Sequence, residues 1–138
     1  MSDDPAGGNP TFESLFARVT ATSEGFGHRE HVHLTWLAVH ACGTDSACTL
    51  VSEGLRKVTR YARMPQKYHE TISRAWVLLI AHHVIAHPTD DFAKFLEGNQ
   101  ALLDKRLLSR FYRSSTLAGA PARTSWVEPD LAPLPRDR

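Results

Sequence analysis

From Thr11 to Phe111 apolar residues return every three or four positions, and the breaks in that rhythm fall mainly at glycine and proline. Such spacing belongs to helices with one buried face, and no stretch alternates with the two-residue period of a strand. Phe12, Leu15, Phe16 and Val19 form the stripe of a first helix over 11–19, after which Gly25 and Gly27 interrupt the chain. A second helix is predicted from His28 to Ala41, with Gly43 as its C-terminal glycine. Asp45 or Ser46 would cap a third, running to about Arg63 through Ala47, Leu50, Val51, Leu55, Val58 and Ala62, and Pro65 closes that connection. The fourth, Tyr68 to Ala86, is the most apolar and ends before Pro88. Thr89-Asp-Asp-Phe would cap a short fifth helix ending at Gly98, and Asn99 a sixth over 100–111. Beyond Tyr112 the chain reads as irregular, with Ser114-Ser-Thr116 as a turn and Pro129, Pro133 and Pro135 marking an extended tail. The expected class is therefore all-α: a single compact bundle of about five or six helices with an irregular C-terminal tail.

A chain of 138 residues suffices for one core and not comfortably for two. The expected division is a flexible segment over 1–9, one helical domain over 10–130 and a proline-rich tail over 131–138. The net charge of +1, with both signs interspersed, gives no field that would draw nucleic acid or an anionic membrane. Arg56, Lys57, Arg60 and Arg63 make a basic stripe that reads as a solvated helix face. The longest apolar run, residues 75–81, is far shorter than the roughly 20 residues of a membrane span. The polar start, Met1-Ser-Asp-Asp-Pro, has no apolar core of a secretory signal, so a cytoplasmic location with reduced cysteines is expected. No glycine-rich phosphate loop follows a strand, and no organic cofactor is expected.

The 8 histidines are the departure from ordinary composition. At about 100° per residue, His28 and His31 lie about 60° apart on the second helix, while His33 and His40 share a different side. On the fourth helix His69, Trp76, Ile80, His83 and His87 share a stripe, and His82 points away from it. Short connections favour antiparallel neighbours, so the second and fourth helices should run parallel and begin at the same end of the bundle. His28 and His31 should thus meet His69, with Trp36 and Trp76 beneath them or walling a pocket. Helix N-termini disfavour imidazolium, and neutral imidazole can ligate a metal, act as a base or bind an anion.

Three such rings suit a tri-histidine site, with His28, His31 and His69 as ligands of iron, copper or zinc. Tyr68, Glu70 and Thr71 are the neighbouring candidates for orienting or proton-transferring groups. Two other readings stand beside this small metalloprotein or metalloenzyme. In one, the same histidines serve acid–base chemistry without metal, as an isomerase or lyase acting on a small organic anion. In the other, they cap and pack a non-enzymatic interaction module. Either a metal ion or a small-molecule substrate is the expected partner, and whether the protein is an enzyme stays open, as does its oligomeric state. At the opposite end Cys42, Cys48, His83 and His87, with His40 near them, offer an alternative zinc set, although the cysteine spacing is loose for zinc and buried inert thiols explain the pair as well.

Three segments carry a resemblance: residues 26–36, FGHREHVHLTW; residues 67–76, KYHETISRAW; and residues 99–112, NQALLDKRLLSRFY, continued by residues 122–130, ARTSWVEPD. Together they resemble a family of small bacterial helical proteins of uncharacterised role, which share a Phe-x-His-x-x-His and a Tyr-His-x-Thr element in this order. The resemblance covers nearly everything after residue 25. His28 and His31 match the first element and Tyr68, His69 and Thr71 the second, with Ser73 where the family often has threonine. His83 and His87 match neither. Arg123, Trp126 and Asp130 match late family positions, which implies that the tail folds back over the bundle. The family implies no reaction.

Overall fold

The computed structural model describes residues 10–61, 63–64 and 67–135. The predicted lead-in over 1–9 lies outside these residues, as does the end of the tail over 136–138. Every regular element among the described residues is helical. Helix α1 spans Phe12–Thr20 and opens with a capping box, in which the Thr11 hydroxyl accepts from Ser14 N (3.0 Å) and Ser14 Oγ accepts from Thr11 N (3.1 Å). Its inner face places Phe12 directly on the backbone of Gly54, where any Cβ would run into the phenyl ring. Glycine inside a helix costs conformational entropy, and here it makes the close approach of α1 possible.

Helix α2, His28–Tyr61, is continuous except at Gly43, whose φ of 82° and ψ of 174° break it into two arms. A straight helix would hold His31 and Leu55 roughly 36 Å apart at 1.5 Å per residue, yet both line one pocket. Gly43 therefore reverses the chain, and it does so alone. The sequence placed a turn at this glycine, with a new cap at Asp45 or Ser46; instead the second arm resumes at once. That arm ends in a Schellman-type closure: Met64 N donates to Thr59 O (2.7 Å) and Arg63 N to Arg60 O (3.0 Å), with Arg63 at φ 60° where glycine is usual.

Helix α3, Glu70–Ala86, makes the main packing surface against α2 and carries the buried Ala75, Trp76, Val77, Leu79, Ile80, Ala81 and Val84. It begins two residues later than the sequence pattern suggested, because His69 is its N-cap rather than a helical residue. Helix α4, Phe92–Gly98, is capped by Asp91, which accepts from Ala93 N and Lys94 N. The aromatic face of the first arm of α2 meets it: His33 stacks on Phe92 at 4.0 Å and 7°, and Trp36 lies 5.4 Å from the same ring.

The predicted sixth α-helix is instead two 3₁₀ helices, Gln100–Leu103 and Lys105–Arg110, parted at Asp104. Asn99 is the N-cap of the first, as expected, but gives it no side-chain bond, since its side chain is used inward: Nδ2 donates to Phe95 O (2.8 Å) and Oδ1 lies 2.8 Å from His83 Nδ1. Residues 114–116, expected as a turn, open helix α5, Ser114–Ala118, which is followed by α6, Ala120–Thr124. The stretch after Tyr112 is thus more regular than its sequence suggests.

The tail does fold back. Tyr112 Oη donates to Val127 O (2.7 Å), Thr71 Oγ1 donates to Ser125 O (2.7 Å) and accepts from Val127 N (3.1 Å). Asp130 receives Arg113 N (3.0 Å) and Thr116 Oγ1 (2.6 Å), which holds its carboxyl below the usual range. Leu134 is buried in the core, so ordered packing extends past the boundary drawn at residue 130. No helix among the described residues is long and apolar enough to cross a membrane.

Candidate functional site: a histidine-walled pocket

The reversal at Gly43 brings three chain ends to one place. The start of α2 supplies His28 and His31, the end of its second arm Leu55 and Thr59, and the start of α3 supplies Tyr68, His69, Ile72 and Trp76. The 3₁₀ segment and α5 close the remaining side with Lys105, Arg106, Leu108 and Leu117, leaving a pocket of about 610 Å³. That volume falls within the range of small-molecule sites. The three histidines expected to converge do line one pocket.

Their ring nitrogens are in different states. His69 is complete: Nδ1 accepts from Ile72 N (3.1 Å) and Nε2 lies 2.7 Å from Leu117 O. A carbonyl can only accept, so Nε2 carries the proton, and neither nitrogen is left over. His28 is half complete, with Nε2 2.8 Å from Leu102 O and its ring edge-on to Trp76 at 4.6 Å. His31 has no hydrogen bond to any described residue at its ring, and its Nε2 is shielded from solvent. Burial, with His28 adding a smaller effect, brings the His31 pKa down to about 4. Burial also pulls His28 below the ordinary value, against the opposing bond to Leu102. Both rings of this pair, 6.1 Å apart, are neutral at neutral pH.

The expected assisting groups separate. Tyr68 stands at the pocket wall, but its hydroxyl donates to Glu70 Oε1 at 2.6 Å, and burial followed by that contact raises its pKa. Glu70 turns away from the histidines into a second, charged cleft, where Arg56 (2.9 Å) and Arg74 (3.6 Å) hold it beside Trp126 and Glu128. Thr71 is fully buried and serves the tail. Of the three, only Tyr68 lines the pocket.

Among the described residues no group of three or more His, Cys, Asp or Glu side chains is gathered to hold a metal ion. Of His28, His31 and His69, His69 has both ring nitrogens in hydrogen bonds and His28 has one. For the alternative zinc set, the Cys42 thiol donates to Ala38 O (3.2 Å), burial raises its pKa, and His83 is bonded to Asn99. His40 packs edge-on against Trp36 at 4.5 Å. Trp76 walls the pocket as expected, whereas Trp36 belongs to the opposite, α4-facing side. Sequence reasoning missed Lys105, Arg106 and the carbonyls of Leu102 and Leu117 as site groups. An adjacent basic pair following an aspartate was the one available signal, and it needs the break at Asp104 to acquire a place.

Comparison with protein families, with characterised proteins and with solved structures finds no match.

Proposed function

We propose that the chain binds a small, largely apolar organic anion in the histidine-walled pocket, with His28 and His31 as neutral hydrogen-bonding and proton-transferring groups. The observation that carries this reading is His31, whose ring lines a pocket of about 610 Å³ and makes no hydrogen bond to any described residue. Leaving such a group unsatisfied costs about 1–3 kcal/mol, which a ligand hydrogen bond would recover. Leu55, Ile72, Leu108 and Leu117 supply an apolar lining, and the exposed Lys105 and Arg106 supply positive charge at the rim. Arg106 already pairs with Asp104 at 3.1 Å, so Lys105 is the stronger attraction for an anion.

A tri-histidine metal centre is the second reading, favoured by the open nitrogens of His28 and His31. It requires His69 to give up the Ile72 amide at Nδ1, while its Nε2–H can stay on the Leu117 carbonyl. One experiment separates the two. Purified protein is loaded with iron, copper or zinc, desalted and analysed for metal, then titrated with a panel of small aromatic and aliphatic carboxylates while tryptophan fluorescence is followed. Saturable carboxylate binding that survives chelator and is lost in His31→Leu supports the anion pocket. Retention of close to one metal per chain, lost in His69→Ala, overturns it in favour of the metal centre. Neither response would leave the histidines as caps and packing groups of an interaction module.

A further inference from the structure

The pocket also constrains what the ligand must bring. We infer that the Leu102 carbonyl fixes His28 in its Nε2–H tautomer, so that Nδ1 is a standing acceptor and the ligand is an anion bearing a hydroxyl or N–H. This rests on the anion pocket proposed above and adds the donor to it.

The logic is one of proton inventory. A neutral imidazole carries one N–H, and the Leu102 oxygen, 2.8 Å from Nε2, can only accept. The single proton therefore sits on Nε2 and the lone pair on Nδ1. No described residue donates to that lone pair. His69 is the internal reference. It holds the same tautomer through Leu117 O, but its Nδ1 is filled by the Ile72 amide at 3.1 Å. His28 sits in the first turn of α2, where no equivalent amide reaches its ring, and Trp76 braces it edge-on at 4.6 Å and 64°. The ring is thus oriented by one bond and one aromatic contact, and its remaining valence faces no protein group. A site built to receive a hydroxyl rejects the analogue that lacks it far more strongly than an apolar pocket can.

The first measurement needs no ligand. Long-range ¹H–¹⁵N spectra of the full-length protein at neutral pH should show His28 with a protonated Nε2 and a bare Nδ1; a protonated Nδ1, or rapid averaging between tautomers, overturns the inference. The second uses 4-hydroxybenzoate and 4-methoxybenzoate, which share charge and ring and differ in the donor. The hydroxyl probe should bind about tenfold or more tightly than the ether. His28→Gln, whose amide can still donate towards Leu102 O but offers no lone pair at the Nδ1 position, should remove that preference without lowering the melting temperature appreciably. Equal affinity of the two probes overturns the donor requirement. If neither binds, the anion pocket itself falls, and the spectra alone decide the tautomer.

Discussion

Two polar regions lie against the same core, and they are finished to different degrees. Where the tail crosses α3, Thr71 donates to Ser125 O and accepts from Val127 N, and Tyr112 reaches Val127 O. Every one of those buried groups has its counterpart. At the start of α2, His31 has no ring partner and His28 has one of two, beside an open volume of about 610 Å³. Buried polar groups in folded proteins are nearly always satisfied. The seam is what a structural network looks like, and the contrast with it is what the proposed ligand would resolve at the pocket. Elsewhere, Trp36 Nε1 and Ser52 Oγ are buried without a partner among the described residues.

The largest way to break the contrast is to unpair the seam. Thr71→Val leaves Ser125 O and Val127 N without a partner, so stability should fall by about 3–4 kcal/mol. Residues 120–134 should then become the first site of limited proteolysis. A smaller loss without proteolysis of the tail would show that the seam is not what holds it.

Acid should act on the pocket in turn. His31, His28 and His33 all have folded pKa values below the ordinary 6.5, in each case chiefly through burial. The unfolded chain then takes up protons first as pH falls, so stability is fully present above pH 6.5 and lost below it. His31, whose folded value is about 4, accounts for about 3 kcal/mol of that loss by pH 4. Denaturant melts at pH 7 and pH 4 should show it, and His31→Leu should remove most of its share. An unchanged acid loss in the variant would sink the assignment to His31.

His69→Ala removes the N-cap of α3 and strands the Leu117 carbonyl, for an expected cost of about 2 kcal/mol at neutral pH. Smallest in stability, and most discriminating, is His31→Leu itself. Replacing an unpartnered polar ring by an apolar group should leave the melting point within about 1 kcal/mol of the parent, or raise it, while abolishing carboxylate binding. A strongly destabilised His31→Leu would place His31 with the seam rather than with the pocket.

Much of this arrangement was legible in the sequence, and the reason is periodicity. The stripe Phe12, Leu15, Phe16 and Val19, the break at Gly43 and the stop before Pro88 all follow from local rules. The convergence of His28, His31 and His69 followed from short connections alone. What the sequence could not convey was valence. Nothing local says that His69 would become a cap or that Leu102 and Leu117 would turn their carbonyls towards the rings, because both oxygens come from segments 48 and 74 residues away from the histidines they meet. Residues 100–110 misled for a related reason. Leu103, Leu107, Leu108 and Phe111 have α-helical spacing, but Asn99 is drawn inward to His83 and Phe95, and the chain tightens into 3₁₀ turns around Asp104. The sheltering of Thr71 by the tail was likewise invisible until the tail was placed.

The capping of α3 by His69 has a consequence in time. The helical hairpin closed at Gly43 forms from contacts near in sequence, which are quick to make, whereas the bond from His69 to Leu117 and those from Thr71 to Ser125 and Val127 span 48, 54 and 56 residues. During synthesis the helices holding all three histidines are therefore assembled before the pocket has its far wall. Until α5 docks, His69 has a ring nitrogen to spare, and for that interval all three histidines are incompletely bonded. Arrival of Leu117 is the event that completes His69.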